Sequence, residues 1–322
     1  SPASPDWFEA RIAQSEALVR EGRPSLARVV LKDLFRDDLG PADLNRARIA
    51  LAGVLEASGE ADAARQVALT AFLFAPDGGE VRAVEKVLAR LGAPVTPLQQ
   101  MVRDLSRGDT NDVRRIASRS RRKRRELETL DPGLPDTIRA LSAYMVEKDA
   151  PRACTILETA TSVATDPLLK SYSIHLLGNA LATRGDETSA RDRQQEVVDR
   201  WADSPFAAAA AINGARSRMR LSDFGGALSL RDRVARMYPE SGLDNRARWE
   251  MALVSLVAGR ADAALVHLDE AVSRLDRGRG LLFGLAEKVR YFRGVALANL
   301  GRTSEGFADI ERIARGYPHS YY

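Results

Sequence analysis

A single cysteine, Cys154, stands in the chain, so an intramolecular disulfide is excluded. Histidine is almost as scarce. The three present, His175, His267 and His319, form no His-x-x-x-His pair and no Glu-paired arrangement, and there is no Cys-x-x-Cys. The spacing therefore offers no metal site, and no cofactor is expected. No apolar run reaches the roughly 18 residues that a membrane span requires. Nor does any stretch alternate in polarity long enough to read as a strand, and no Asn-Gly or Asp-Gly turn joins two alternating runs. Gly-x-Ser-x-Gly is absent, which removes the hydrolase elbow. Gly278-Arg279-Gly280 with Gly284 follows no strand and lacks Gly-Lys-Ser, so it reads as an inter-helix linker. The opening Ser1-Pro2-Ala3-Ser4-Pro5 carries neither a methionine nor a charged or apolar leader and reads as a processed end.

What is there points to helix. Aromatics make up only 6% of the 322 residues, while Ala, Leu and Arg, the strong helix formers, abound. Apolar content of 45% and charged content of 29% suit a folded chain. The net charge of +4 is spread out and does not by itself argue for nucleic acid. A chain this long is either two domains or a repeat array, and a period decides between them. A turn residue is followed five positions later by a small anchor: Gly22 with Ala27, Gly59 with Ala64, Gly185 with Ala190, Ser222 with Ala227, Gly259 with Ala264, and Gly301 with Gly306. Two weaker units, Gly108 with Val113 and Lys148 with Ala153, fill the middle. The anchors Ala153, Ala190, Ala227 and Ala264 are spaced by 37 residues, as are Ala27 and Ala64.

Twelve residues ahead of six anchors sits a second small residue: Ser15, Ala52, Gly178, Ala215, Ala252 and Gly294. Small residues at both places let two helices approach closely. Twelve residues beyond three anchors, Pro76, Pro239 and Pro318 end a helix. This resembles the tetratricopeptide pattern, whose usual period is about 34. The predicted fold is all-α: a tetratricopeptide-like α-solenoid of about eight helical hairpins forming a curved superhelix. Residues 1–110 read as N-terminal hairpins, 111–166 as degenerate, basic middle hairpins, and 167–322 as regular C-terminal hairpins. The repeat is weakest from Arg114 to Pro135, where a bend or division is expected.

The middle carries the strongest charge run: Arg119, Arg121, Arg122, Lys123, Arg124 and Arg125. Such a run could contact an anionic surface. With no aromatics interleaved, base stacking gives no support, and the plain alternative is a solvated helix end leading into Asp131-Pro132-Gly133. Nucleic acid is thus a poor expectation. His175 and His267 read as packing or surface groups, and Cys154 as buried filler. Trp201, Trp249 and Tyr291, near hairpin starts, are expected to pack between hairpins.

The segment Tyr291-x-x-Gly294-x-Ala296-Leu297-x-x-Leu300-Gly301-Arg302, with the terminal Tyr317-Pro318-x-Ser320-Tyr321-Tyr322, resembles the end of the helical superhelix domain of soluble lytic murein transglycosylases. The resemblance covers about the last third of the chain. It implies a non-catalytic, periplasmic scaffold that contacts peptidoglycan and positions a catalytic domain following Tyr322, with Tyr317, Tyr321 and Tyr322 as candidate contacts to it. Glu240-Ser241-Gly242-Leu243 is followed by no Gly-Leu-Met-Gln, so the family's catalytic role is not carried onto Glu240, and no catalytic residue is assigned. The alternative function is a free-standing adaptor of the cell envelope that binds protein segments.

Overall fold

The computed structural model describes residues 5–35, 39–76, 78–120, 122–238, 244–276 and 285–316. Among them are eighteen helices and no strand. In chain order they are α1 (Pro5–Arg20), α2 (Pro24–Leu34), α3 (Pro41–Ala57), α4 (Ala61–Phe74), α5 (Gly78–Arg90), α6 (Pro97–Arg107), α7 (Thr110–Ser120), α8 (Arg124–Leu130) and α9 (Leu134–Met145). Then follow α10 (Ala150–Val163), α11 (Pro167–Arg184), α12 (Glu187–Arg200), α13 (Ala207–Arg220), α14 (Phe224–Met237), α15 (Asp244–Val257), α16 (Ala261–Asp276), α17 (Leu285–Asn299) and α18 (Thr303–Gly316). The fold is an all-α, tetratricopeptide-like solenoid of helical hairpins. None of the helices among the described residues is long and apolar enough to cross a membrane.

Local chemistry sets the helix ends. Proline opens α2, α6 and α11, where its missing N–H costs nothing. Asp149, Asp166, Asp186 and Asp223 accept hydrogen bonds from backbone N–H groups in the first turns of α10, α11, α12 and α14. At the turns, seven of the eight predicted residues adopt positive φ: five glycines, plus Lys148 at 57° and Ser222 at 61°. The exception is Gly108, at φ −60° and ψ 134°. Here the repeat is irregular: α7 packs on α9, and α6 packs on α4 and α11. The additional helices α5 and α8 lie outside the eight-hairpin register.

The anchors are the centre of the packing. Ala27, Ala64, Val113, Ala153, Ala190, Ala227 and Ala264 have no exposed surface, and Gly306 is buried. In the last hairpin the two helices nearly touch: a Cβ on Gly306 would stand 2.7 Å from the carbonyl oxygen of Gly294.

The contacts divide the chain into two compact units, residues 51–221 and residues 1–50 with 222–322. In the first, α9 to α13 pack in sequence. Its irregular region is fastened by Asp131, which is buried after α8. One carboxylate oxygen accepts from the Gly133 N–H (2.7 Å). The other accepts from the Thr165 N–H (2.9 Å), the Thr165 hydroxyl (2.9 Å) and the Asp166 N–H (2.8 Å). In the second unit, α14 to α18 pack in sequence around Leu268, Val289, Ala296 and Leu297. Trp249 meets Phe292 across this core at 5.4 Å between ring centroids, so this aromatic does pack between hairpins. Buried Asp309 accepts from Arg293 at 2.5 Å. Near the chain start, Arg46 is bidentate to Glu9, with both distances 2.6 Å.

Two sets of substitutions test this packing by urea unfolding. Gly306→Ala should cost about 1–3 kcal/mol by forcing α17 from α18, whereas Gly53→Ala, mid-helix with open space around its Cβ, should gain up to about 1 kcal/mol. Asp131→Ala should cost at least about 2 kcal/mol, since it strands buried donors. Wild-type stability in Gly306→Ala would remove close approach as the packing constraint.

Candidate functional site

The regular part of the 51–221 unit presents one polar face, where α9, α11 and α13 lie side by side. Tyr144, Asn179, Thr183, Asn213, Arg216 and Arg220 line a cavity of about 320 Å³ on it. These side chains are held from behind. The Asn179 side-chain oxygen accepts from Gln194 Nε2 at 2.9 Å and from Asn213 Nδ2 at 2.8 Å. Gln194 spends its other N–H on the His175 carbonyl (3.2 Å), and its oxygen faces His175 Nδ1 at 2.9 Å. Nδ1 must therefore donate, which leaves Nε2 to accept from the Asn179 amide at 3.3 Å. Arg216 donates to Asn213 Oδ1 at 3.1 Å, and Arg220 pairs with Glu187 at 2.5 Å. Tyr144 and Thr183 share a hydrogen bond of 2.9 Å across α9 and α11. Polar groups satisfied in this way form a rigid pattern of donors and acceptors.

Sequence determines that the network can form. Gln194 sits on α12 four residues after the anchor Ala190, and it crosses α11 where Gly178 leaves room. A Cβ on Gly178 would stand 2.5 Å from Gln194 Nε2. The small residue expected at 178 thus makes space for a buried amide as well as for a backbone. Burial holds the His175 imidazole below its ordinary value of 6.5, against the opposing hydrogen bond that Nδ1 donates to Gln194. Protonation would also set Nε2–H against the Asn179 amide donors.

A larger cavity, of about 730 Å³, opens in the irregular region of the same unit. Arg119 and Lys123 of the basic run line it. The run is not one helix: α7 stops at Ser120, Arg122 and Lys123 lie in a turn, and α8 starts at Arg124. Arg124 turns aside to Glu128 (2.8 Å) and lines a third cavity with Asp136 and Arg139. Arg122 and Arg125 are exposed. The structure therefore divides the run between two cavities and solvent. Arg121 lies outside the described residues, as do Tyr317, Tyr321, Tyr322, Glu240, Ser241, His319 and the 278–280 glycines.

Cys154 is buried on α10, and burial pushes its thiol up, as filler requires. His175 is a packing group, but one inside a polar network. Sequence reasoning missed Asn179, Gln194 and Asn213. A signal was present: two asparagines 34 residues apart inside helices, where asparagine is a poor helix former.

No family model matches the chain, and no curated protein matches it. Solved structures do. The chain is similar to BtubC (BKLC) from P. vanneervenii at 16% identity and a TM-score of 0.50, over 71% of this chain and 94% of that one. It is similar to a putative kinesin light chain with nearly identical TPR-like repeats from Podosopora anserina at 16% identity and a TM-score of 0.48, over 63% and 98%. The likeness is one of fold.

Because the His175 value is lowered by folding, the unfolded chain binds the proton more readily, so the associated stability is full above pH 6.5 and declines as pH falls below it. Urea midpoints should drop between pH 7 and pH 5, and His175→Gln should flatten part of that drop. An unchanged pH slope in the variant would exclude His175 as its source.

Proposed function

We propose that this chain is a binding scaffold that captures an extended segment of a partner protein along the α9–α11–α13 face. The observation that carries the reading is the network beneath that face. Buried amides fix Asn179 and Asn213, so that amide, hydroxyl and guanidinium groups from successive hairpins meet a ligand without first being ordered. A peptide backbone repeats donors and acceptors, and such a row suits it.

The test is site-specific photocrosslinking in the native host. A crosslinker at Thr183, exposed at the rim, should yield defined adducts that mass spectrometry assigns to short segments of one or a few proteins. One at Glu158, on the exposed side of α10, should not. Asn179→Leu should abolish the Thr183 adducts while the protein stays folded. Equal adducts from both positions would end the proposal.

A narrower reading makes the partner a peptidoglycan-cleaving domain, with the chain as the periplasmic helical scaffold of a lytic transglycosylase. It rests on the resemblance over 291–322. Within that motif, Ala296 and Leu297 are buried, Gly294 meets α18, and Gly301 ends α17 at φ 76°. Those residues answer to hairpin packing, so the terminal Tyr-Tyr run carries what is specific to the family. Salt-sensitive retention on purified sacculi is the expected outcome, and no retention at any ionic strength would remove peptidoglycan from the reading.

A further inference from the structure

We infer that the 730 Å³ cavity between α5, α6, α7, α8 and α9 is a second binding site, selective for an acidic segment that also carries aliphatic side chains. The site is distinct from the α9–α11–α13 face. Its size falls in the range of about 300–1,000 Å³ typical of pockets that enclose a ligand.

Two features fix the ligand chemistry. The first is charge. Arg103, Arg107, Arg115, Arg119 and Lys123 line the cavity against two carboxylates, Asp104 and Asp112. Asp112 is taken by Arg115 at 2.6 Å, and Lys123 reaches Glu126 at 3.1 Å. Arg103 donates to the carbonyls of Phe72 (3.1 Å) and Ala75 (3.2 Å) at the end of α4 and stands 3.6 Å from the Asp104 carboxylate. Arg107 donates to the Pro76 carbonyl at 3.1 Å. The five cations of the lining stand against the carboxylates of Asp104, Asp112 and Glu126. Arg119 is exposed and makes no ion pair with a described residue. The excess of positive charge is therefore presented to whatever enters.

The second feature is the floor. Val81, Met101, Ile116, Leu127 and Ile138 supply aliphatic surface, with Ile138 fully buried at the base. Among the described residues no aromatic lines the cavity. Bases of single-stranded nucleic acid stack on aromatic rings, so this surface favours aliphatic side chains over bases. Burial also lifts the half-exposed Asp104 carboxyl above its usual range.

The site exists because the repeat fails there. The cavity lies beside the extended backbone at Gly108 and the short α8, where the packing departs from the regular succession of hairpins.

The test uses the whole chain and a short fluorescein-labelled peptide of alternating Glu and Leu, read by fluorescence anisotropy. Binding should weaken with salt. Peptides of alternating Lys and Leu, or Glu and Ser, should bind at least about tenfold more weakly, the scale of losing charge-assisted contacts or buried leucines. Arg119→Glu with Lys123→Glu, both exposed, should weaken the Glu-Leu peptide by at least about tenfold on the same scale. Asn179→Leu should leave it unchanged. Absence of binding, equal binding of the Glu-Ser peptide, insensitivity to the double charge reversal, or complete displacement by a single-stranded oligonucleotide would each overturn the inference. Loss of binding in Asn179→Leu alone would overturn it too, while leaving the scaffold reading intact.

Discussion

The structure depends on helices that can come close. At seven of the eight hairpins an alanine or glycine on the second helix sits where a larger side chain would hold the first helix away. Where both places are glycine, as at Gly294 and Gly306, backbone meets backbone. Close approach removes the space between helices and raises the number of atom pairs in contact, which is how an interior with few aromatics reaches protein-like density. The alanine-rich composition follows from the architecture. Bulky cores are unnecessary when each helix buries its face on neighbours less than a side chain away.

The same constraint places the polar groups. Helices packed on alanine and glycine leave little room for long side chains, so a buried amide needs a vacancy made for it. Gly178 makes that vacancy and Gln194 fills it. From Gln194 the hydrogen bonds run outward through His175 and Asn179 to Asn213, and so to the surface. Packing inside the hairpin and chemistry on its face are thus parts of one arrangement. A change at the hidden glycine reaches the half-buried Asn213 through two hydrogen bonds.

Much of the fold was legible in the sequence because spacing survives where residue identity drifts. Eight anchors were found by period, and all eight are buried. The left-handed turns were legible even where Lys148 and Ser222 replace glycine, since the period still pointed to them. At Gly108 the residue type suggested the same turn, but the backbone there is extended, because the chain continues into α7 without folding back on its own repeat. α5 and α8 were not separated from their neighbours for the same reason: periodicity reports the helices that obey it. The candidate face was the least legible part. Asn179 and Asn213 look like surface residues in a list, and only the three-dimensional arrangement shows that they share one oxygen. The basic run had the opposite fate. It is conspicuous in sequence, yet the break between α7 and α8 sends its members in different directions.

Asp131 binds the N–H groups of Gly133, Thr165 and Asp166 at once, joining two loops that are 34 residues apart in the chain. The same carboxylate also accepts from the Thr165 hydroxyl, so four donors from the two loops converge on one side chain. Loss of that carboxylate would release backbone donors on both loops together, so the two loops are coupled through one side chain. The irregular middle of the repeat array is thus fastened to the regular part at this one carboxylate.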